Sequence, residues 1–242
     1  MVKLAIDIGN KKTKFGLFEG KKLLKFFDFL NEKLNEINFP EDLIKGYKIH
    51  RCGISSVFPE LNIVVQKKVK NFLKIEPILL NYKDCKIKMD IENPEKVGID
   101  RILNCKGGSE IFGYPCIVID IGTAITIDVV NKNKIFIGGF ILPGPELWIN
   151  SLKNTVLIKE INKKKTKFIG KDTSSAINLG MEEGISGAIE RIVEKLKERY
   201  KISKVILTGG WCDYFKKKLN FEKKVRKYLT LEGINIVISE ND

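Results

Sequence analysis

One short pattern occurs twice in the chain and constrains the fold more than any other feature. Residues 6–13 read IDIGNKKT and residues 119–128 read IDIGTAITID, so Asp7 aligns with Asp120 at an offset of 113 residues (120 − 7). This offset is close to half of the 242 residues. In each copy an apolar run ends in an acidic residue and a glycine, and then resumes as a strand. The pattern is typical of two antiparallel strands joined by a tight turn, with a carboxylate at the end of the first strand.

The repeat predicts two similar domains, 1–114 and 115–242, that face each other across a cleft. Each domain is large enough to bury a hydrophobic core. Strand and helix patterns alternate along the chain, which indicates the α/β class rather than an all-α or all-β fold. Facing turns of this kind place a carboxylate and exposed backbone N–H groups on each wall of the cleft.

Hydrophobic periodicity and turn residues predict the individual elements. Apolar runs predict strands at residues 2–7, 13–19, 22–29, 49–57, 75–80, 115–120, 126–130, 134–141, 205–207 and 234–239. Helical spacing and capping residues predict helices at residues 31–44, 61–73, 99–105, 173–200 and 215–228. The lysine-rich segment 153–168 is expected to be a loop.

Composition limits the kinds of partner that we expect. The net charge of +13, from 43 Lys+Arg against 30 Asp+Glu, suits either nucleic acid or small anionic substrates attracted to a lysine-rich surface. The lysines are scattered and accompany no nucleic-acid-binding motif, so the second interpretation is favoured. No apolar run approaches the roughly 20 residues of a membrane helix. We therefore expect no membrane partner and a cytoplasmic location.

Cysteine and histidine content argues against several kinds of site. The five cysteines never form a CxxC pair, which disfavours a disulfide framework or a zinc site. His50 is the single histidine, so a Ser-His-Asp triad is not expected. The sequence also lacks the P-loop pattern GxxxxGK[ST], a GxGxxG after a strand and the zinc pattern HExxH.

The two repeated turns provide a different way to hold a triphosphate. A glycine turn exposes consecutive N–H groups to an anion, and a carboxylate at a strand end binds Mg²⁺ directly or through water. A third glycine turn, TGG at 208–210, lets an adenine or ribose lie against the backbone. Phosphoryl transfer needs little more than positioning, charge neutralisation and a carboxylate that orients the attacking hydroxyl.

Asp100 and Arg101 form the most informative pair outside the repeat. They end the segment NPEKVGIDR, in which a turn at Asn93 and Pro94 leads into a helix. Spacing alone leaves two interpretations open. The pair is either a helix cap or surface ion pair, or a carboxylate base beside a guanidinium that binds an anion.

Several motifs together resemble a known family. The DIGN and DIGT turns with the later TGG resemble the actin, sugar-kinase and heat-shock-chaperone superfamily, which has two ribonuclease-H-like (actin-like ATPase) domains. Within it, the chain resembles the type III pantothenate kinases. The matching motifs span the chain in family order: DIGN at 7–10, ISSVFP at 54–59, NPEKVGIDR at 93–101, DIGTAITID at 120–128, GGFILPG at 138–144, DTSSAINLG at 172–180 and LTGG at 207–210.

The resemblance implies ATP-dependent phosphorylation of pantothenate to 4′-phosphopantothenate, the first step of coenzyme A synthesis. It implies that Asp100 accepts the proton of the pantothenate hydroxyl, that Asp120 binds K⁺ or NH₄⁺, and that Asp7 binds Mg²⁺. The implied ATP contacts are Asp7, Ile8, Gly9, Asn10, Lys11, Lys12, Thr13, Lys14 and Thr123. The implied pantothenate contacts are Ile91, Gly98, Ile99, Asp100, Arg101 and Thr173.

The resemblance also implies a homodimer whose substrate site is completed across the subunit interface. Two residues depart from the family pattern, because Lys11 replaces the usual Thr after DIGN and Ile91 replaces a common aromatic residue. We expect Lys11 to alter ATP binding and Ile91 to give pantothenate an aliphatic wall. Two other functions remain as alternatives: another kinase or phosphatase of the same superfamily, and a non-catalytic regulator associated with nucleic acid.

Overall fold

The computed structural model describes residues 1–34, 44–152 and 168–240, and contains two mixed β-sheets with helices packed on them. Most of the predicted helix at 31–44 and of the predicted loop at 153–168 lies outside the described residues. At the start of the former, Asn31–Lys33 forms a short 3₁₀ helix. In the part of the chain that is described, no helix is long and apolar enough to cross a membrane.

The first sheet comes from the N-terminal half of the chain and has the strand order β3-β2-β1-β4-β5. Its strands are β1 (Val2–Ile8), β2 (Lys12–Glu19), β3 (Lys22–Leu30), β4 (Ile49–Ser56) and β5 (Ile78–Leu79). The strands β1, β2 and β3 are antiparallel neighbours, whereas β4 pairs in parallel with β1. Helix α1 (Asn62–Leu73) lies between β4 and β5 along the chain.

The second sheet repeats this arrangement, with the order β11-β10-β7-β8-β9-β6. Its strands are β6 (Lys88–Met89), β7 (Cys116–Ile121), β8 (Ala124–Val130), β9 (Ile135–Pro143), β10 (Lys204–Thr208) and β11 (Lys224–Val225). The strands β7, β8 and β9 are antiparallel neighbours, and β10 is parallel to β7. They therefore correspond to β1, β2, β3 and β4, which confirms the α/β class and the repeated hairpin predicted from the IDIG segments.

Two helices join the sheets. Helix α2 (Ile99–Phe112) packs against β7 and β8 of the second sheet, and helix α6 (Leu229–Glu240) packs against β1 and β4 of the first. The two helices also pack against each other. Gly233 permits this close contact, because a Cβ atom there would lie 2.2 Å from the carbonyl oxygen of Leu103 on α2. The helix pair therefore connects the inner faces of both sheets.

The other face of the second sheet carries a separate core. Its helices are α3 (Pro145–Leu152), α4 (Thr173–Tyr200) and α5 (Cys212–Phe215). Ile117, Ile119 and Ile121 of β7 point into this core, whereas the alternate residue Val118 packs in a different cluster with Cys105 of α2. Alternation along β7 therefore places Asp120 on the face that meets α2.

The structure corrects the predicted strand at 234–239, which is part of helix α6. The β-branched sequence INIVIS favours a strand on local preference alone. Leu231, Ile234, Val237 and Ile238 are all buried between the helix pair and the first sheet. A helix buried on most sides has no polar face, so its periodicity does not distinguish it from a buried strand.

One further predicted element is wrong, and another is shorter than predicted. The helix predicted at 215–228 is absent, because α5 ends at Phe215 and the chain then forms the edge strand β11. Beyond β11, the backbone N–H of Arg226 donates to the carbonyl oxygen of Leu207 at 2.9 Å, so this segment follows the sheet edge. The strand predicted at 75–80 is reduced to Ile78–Leu79.

Candidate active site

Four charged side chains from four elements meet where the sheets and α2 come together. Asp7 is near the end of β1, Lys14 lies opposite it on β2, Asp120 is near the end of β7, and Asp100 is in the first turn of α2. The Lys14 ammonium is 3.1 Å from a carboxylate oxygen of Asp7. The negative charge of Asp7 raises the pKa of Lys14, and the charges of Asp120 and Asp100 raise it further. Three carboxylates therefore surround one cation.

Asp100 has the properties of a proton acceptor near neutral pH. Burial raises the pKa of its carboxyl group to about 6, and the negative charges of Asp7 and Asp120 add to this effect. The backbone N–H of Arg101 donates to Asp100 Oδ1 at 2.9 Å, which fixes the side chain at the start of the helix. Such a carboxylate is mostly ionised at pH 7, yet binds a proton more readily than an exposed aspartate.

Asp120 is held by a chain of hydrogen bonds that reaches α6. Asn104, one turn after Asp100, donates from its side-chain amide to Asp120 Oδ2 at 2.8 Å. Thr230 at the start of α6 donates from its hydroxyl to Asn104 Oδ1 at 2.9 Å. Burial raises the pKa of Asp120, while the positive charge of Lys14 and the Asn104 hydrogen bond lower it. The orientation of Asp120 thus depends on both helices between the sheets.

Arg101 forms a bidentate pair with Asp128 of β8. Its Nε atom lies 3.1 and 3.2 Å from the two carboxylate oxygens, and Nη2 lies 2.5 Å from one of them. Asp128 is only 1% exposed, and burial raises its pKa while the Arg101 contacts lower it. Arg101 is therefore neither a helix cap nor a surface residue, and the pair uses Nε and Nη2 but not Nη1.

The first glycine turn has a supported backbone. Asn31 donates from Nδ2 to the carbonyl oxygen of Gly9 at 2.7 Å, and Thr13 donates from its hydroxyl to Asn31 Oδ1 at 2.9 Å. The side chains of Ile8 and Thr13 are fully buried. Both of these predicted ATP contacts are therefore covered by the protein in this structure.

The exposed residues of the same turn are Asn10, Lys11 and Lys12. Lys11 forms an ion pair with Glu146 in the first turn of α3, so it connects the first turn to an element of the second half. Lys12 pairs with Asp28 of β3 at 3.1 Å. Both lysines stand beside the predicted phosphate site, and both are held by a carboxylate.

The second and third glycine turns touch each other beside Asp120. Gly209 has a φ of +94°, and a Cβ atom there would lie 2.3 Å from Asp120 Oδ1. Only glycine tolerates both conditions without strain. Trp211 donates from its backbone N–H to the carbonyl oxygen of Ile121 at 3.0 Å, which joins the two turns. In the second turn, the Thr123 carbonyl oxygen accepts a hydrogen bond from the backbone N–H of Gly144 at 3.0 Å.

The predicted pantothenate contacts fall into two groups. Gly98 directly precedes α2 and Ile99 is its first residue, so both adjoin Asp100 and Arg101. Ile91 is partly buried and packs against the core cluster that includes Phe136. Thr173 is the exposed first residue of α4, which packs on the other face of the second sheet. The Asp172 side chain caps that helix by accepting from the backbone N–H of Ser175.

The carboxylates suit a metal ion that is shared with phosphates. Across residues 1–34, 44–152 and 168–240, no group of three His, Cys, Asp or Glu side chains is arranged to hold a metal by itself. Mg²⁺ commonly keeps several waters and uses one or two carboxylates together with substrate phosphates. Asp7 and Asp120, each beside a glycine turn, fit that mode of binding.

Sequence reasoning assigned no role to four residues that shape this site: Asn104, Asp128, Glu146 and Thr230. Asp128 was recognisable as an acid in the apolar strand segment ITIDVV, because a buried carboxylate needs a cation. Asn104 is four residues after Asp100 and so shares its helix face. No sequence signal identifies Thr230, because its contact depends on how α6 packs.

Comparison with known proteins shows close relatives. The family model described as type III pantothenate kinase matches residues 3–195. A protein of that name from Sulfurihydrogenibium sp. is 36% identical over 245 residues, which cover 96% of this chain and 97% of the relative. Another of that name from Persephonella marina is 34% identical over 250 residues, which cover 98% of each chain.

Solved structures share the fold at lower identity. A Campylobacter jejuni protein described as a Baf family transcriptional activator has a TM-score of 0.65 at 23% identity, with 98% of each chain covered. Component A of the (R)-2-hydroxyglutaryl-CoA dehydratase of Acidaminococcus fermentans has a TM-score of 0.57 at 12% identity, with both chains fully covered. A ROK family glucokinase from Streptomyces griseus has a TM-score of 0.52 at 12% identity, covering 99% of this chain and 100% of the glucokinase. These similarities show the fold of the actin-like ATPases and sugar kinases.

Proposed function

The chain belongs to the type III pantothenate kinase family, and from this premise we propose how its own residues phosphorylate pantothenate. The reaction uses ATP and gives 4′-phosphopantothenate, the first step of coenzyme A synthesis. The observation that carries the proposal is Asp100, a carboxyl group with a pKa of about 6 in the first turn of α2, beside Asp7 and Asp120. A kinase of this kind needs such a group where the substrate hydroxyl meets the phosphates.

Asp100 is the proton acceptor in this proposal. The pantothenate hydroxyl oxygen attacks the γ-phosphorus of ATP, and the bond from that phosphorus to the bridging oxygen of ADP breaks. A primary alcohol is a weak acid, so Asp100 first orients the hydroxyl and accepts its proton late, as the new phosphate ester forms. The raised pKa supports this role because it allows proton acceptance without loss of the ionised form at neutral pH.

The first glycine turn, from Asp7 to Lys14, binds the phosphates of ATP, and Thr123 of the second turn adds a further contact. Lys14 supports this assignment, because it is a cation already placed among three carboxylates. Asp7 holds Mg²⁺ and Asp120 holds K⁺ or NH₄⁺. When bound, the two cations offset the negative charge of the triphosphate. Because this reaction consumes ATP, we assign it to the cytoplasm.

Pantothenate lies against Gly98, Ile99 and Arg101, with Ile91 as an aliphatic wall. The bidentate pair with Asp128 holds the Arg101 guanidinium in one orientation through Nε and Nη2. A guanidinium held in this way suits either the pantothenate carboxylate or the transferring phosphate through its remaining nitrogen. Ile91 is partly buried against the core cluster that includes Phe136, and this supports its place in the wall of the pantothenate site.

Thr173 completes the pantothenate site of a partner subunit in a homodimer. Thr173 begins α4, which packs on the face of the second sheet opposite α2 and Asp100. This position supports a contact with the site of a neighbouring subunit. Large apolar side chains are exposed on β9, α3 and the segment before α4, as expected for a surface that a partner covers. These are Phe140, Ile141, Leu147, Phe168 and Ile169.

A direct assay tests the proposal. The purified full chain is incubated with ATP, Mg²⁺ and K⁺, and 4′-phosphopantothenate is measured by mass spectrometry. We expect product from the unaltered chain and none above background from Asp100→Asn. The matched control is Asp90→Asn, because Asp90 is an exposed aspartate that directly precedes Ile91.

Failure to form product from pantothenate, with and without K⁺, would overturn the proposal. If another alcohol is phosphorylated instead, the chain is a different kinase of the same superfamily. If no kinase activity is found and the protein shifts labelled DNA in a salt-dependent manner, a nucleic-acid-associated regulator becomes the better description.

A further inference from the structure

Asp128 is the second acidic residue of the segment IDIGTAITID, and it lies deeper in the second sheet than the first. In the register of β7 and β8, Asp120 is opposite Thr126, and Asp128 is two residues further along β8. Residues two apart on a strand share a face and are separated by about 7 Å. Asp128 is therefore on the face that carries Asp120, about 7 Å farther from the second glycine turn.

Two contacts hold the Arg101 guanidinium in a fixed orientation. Its side edge, formed by Nε and Nη2, faces Asp128 at 3.1 Å from Nε and 2.5 Å from Nη2. Its central carbon is 5.9 Å from the centre of the Phe136 ring, within the range of a cation–π contact. In the described part of the chain, no group accepts from Nη1. The end edge, with Nη1 and the second N–H of Nη2, therefore remains for a ligand.

The strand β9 leaves space for this pair. A Cβ atom at Gly139 would lie 2.6 Å from Asp128 Oδ1 and 2.1 Å from the carbonyl oxygen of Ile127. The preceding Gly138 has a φ of +90°, and a Cβ atom there would lie 3.7 Å from Cγ2 of Ile91. The two glycines of GGFILPG thus accommodate the Asp128 carboxylate beside the proposed pantothenate wall. The Arg101 side chain keeps 16% of its surface exposed at this place, whereas that of Asp128 keeps 2%.

The position of the pair decides which anion Arg101 meets. Asp100 and Arg101 are consecutive on α2, so their side chains project about 100° apart. The Asp100 carboxyl group interacts with the charges of Asp7 and Asp120, which adjoin the glycine turns proposed to bind the phosphates. Arg101 instead contacts Asp128, which is farther along β8 from the second turn. Arg101 therefore faces the end of the acceptor that is remote from the transferring phosphate.

Pantothenate carries its reacting hydroxyl at one end and its carboxylate at the other. We propose, on the basis of the proposed function, that Asp128 is a positioning residue that makes Arg101 selective for the acceptor carboxylate. Asp128 itself does not touch the acceptor. It holds the side edge of the guanidinium, so that the end edge meets the two carboxylate oxygens. The chain consequently discriminates against an acceptor that has the same hydroxyl end but no carboxylate.

Pantothenol tests this selectivity on the unaltered chain, because a neutral CH₂OH group replaces the carboxylate of pantothenate. Phosphorylation of both acceptors is measured with ATP, Mg²⁺ and K⁺, and their binding is measured separately by calorimetry. We expect kcat/KM to be about tenfold or more lower for pantothenol, and its dissociation constant to be higher by a similar factor. The difference should be in KM, because the hydroxyl that meets Asp100 is the same in both molecules.

Variants of the pair test the role of Asp128. Asp128→Asn keeps the shape of the side chain but removes its charge, so KM for pantothenate should rise about tenfold. The kcat, the KM for ATP and the kinetics with pantothenol should stay unchanged. Arg101→Met should give the same pattern, and the double variant should be no worse than Arg101→Met alone, because Asp128 acts only through Arg101.

Glu232→Gln is the matched control. Glu232 forms a bidentate pair of the same kind with Arg226, at 3.1 Å from Nε and 2.6 Å from Nη2. Neither residue belongs to the proposed site. We therefore expect the loss of this pair to leave the ratio of kcat/KM between pantothenate and pantothenol unchanged.

Three results would overturn the proposal. Equal binding of the two acceptors would show that the carboxylate is not recognised. An equal loss with both acceptors in Asp128→Asn would show a merely structural role. A fall of kcat with both acceptors in Arg101→Met would assign Arg101 to the transferring phosphate. If Asp128→Asn does not fold, the acceptor comparison and Arg101→Met decide the question.

Failure of the proposed function has a different signature. If the unaltered chain phosphorylates neither acceptor, the kinase assignment is overturned, while calorimetry with the same two molecules still decides whether the carboxylate is recognised. Tenfold tighter binding of pantothenate, lost in Asp128→Asn, would then support the role of Asp128. Weak binding of both molecules would reject that role together with the proposed function.

Discussion

The pKa of the Asp100 carboxyl group is raised by its surroundings, because burial and the two neighbouring carboxylates, Asp7 and Asp120, all oppose its ionisation. The same surroundings hold Lys14, whose positive charge limits the repulsion within the cluster. The fold therefore destabilises the ionised form of Asp100. This makes it more favourable for the carboxylate to accept a proton during catalysis.

The pH dependence of the reaction follows from this pKa. Asp100 acts as a base only when ionised, so kcat/KM for pantothenate should rise as pH increases through about 6 and then level off. Initial rates measured from pH 5 to 8 with saturating ATP check this expectation. A profile that is flat below pH 7 would exclude Asp100 as the titrating base.

Removal of the Asp100 charge should stabilise the protein. The folded-state pKa of about 6 is above the usual 3.8, so ionisation of Asp100 destabilises the fold as pH rises from about 4 to above 6. We expect Asp100→Asn to increase the free energy of unfolding at pH 7 by about 1–2 kcal/mol, and to have little effect at pH 4. Urea unfolding at both pH values measures the difference. Equal stability at pH 7 would contradict the burial of this charge.

Gly209 should tolerate no side chain. Gly209→Ala forces a Cβ atom into Asp120 Oδ1 and imposes strain at a φ of +94°. We expect a loss of stability of about 1–3 kcal/mol and a large fall in kcat. Gly210→Ala is the matched control, because no atom lies within 4 Å of a Cβ atom at Gly210. Similar behaviour of the two variants in thermal unfolding and kinase assays would show that the close contact has no importance.

At the scale of elements, α2 and α6 carry the site as a unit. Asp100, Arg101 and Asn104 project from α2 toward both sheets, and Thr230 of α6 orients Asn104. Helix α6 thus contributes to the proposed cation site without touching it. Its role is to fix the hydrogen-bond chain that ends at Asp120.

Thr230→Val tests this chain. The substitution keeps the shape of the side chain but removes the donor to Asn104, which leaves a buried amide oxygen without a partner. We expect a loss of stability of about 1–3 kcal/mol, together with a higher K⁺ concentration for half-maximal activity because Asp120 is less well oriented. Thr230→Ser retains the hydroxyl and should behave as the unaltered chain. An unchanged K⁺ dependence in the valine variant would show that Asn104 orients Asp120 unaided.

The elements that sequence reasoning predicted correctly are those whose local signals agree with their environment. The β1–β2 and β7–β8 hairpins combine strand-forming residues with glycine turns, and both are present. Helix α6 was missed because burial on most sides overrides its β-branched sequence. The partner of Arg101 was missed for a related reason, since Asp128 is 27 residues away in sequence and only the fold brings the two together.

At the scale of the whole molecule, the proposed homodimer allows two defective chains to complement each other. If Asp100 comes from one subunit and Thr173 from its partner, Asp100→Asn and Thr173→Arg homodimers should both be inactive. A mixture refolded together should regain about a quarter of the normal activity, because half of the dimers then contain one intact site. The kinase assay on the mixture measures this recovery. If activity does not return although mixed dimers form, Thr173 does not act across the interface.

The position of α6 also affects how the protein is made. Lys3 of β1 contacts Ser239 of α6 across 236 residues, and α6 covers the inner face of the first sheet. During synthesis, β1 leaves the ribosome long before the helix that buries it, so that face of the sheet stays uncovered through most of translation. The native packing of the first sheet therefore forms only after residue 240 has emerged, late in synthesis.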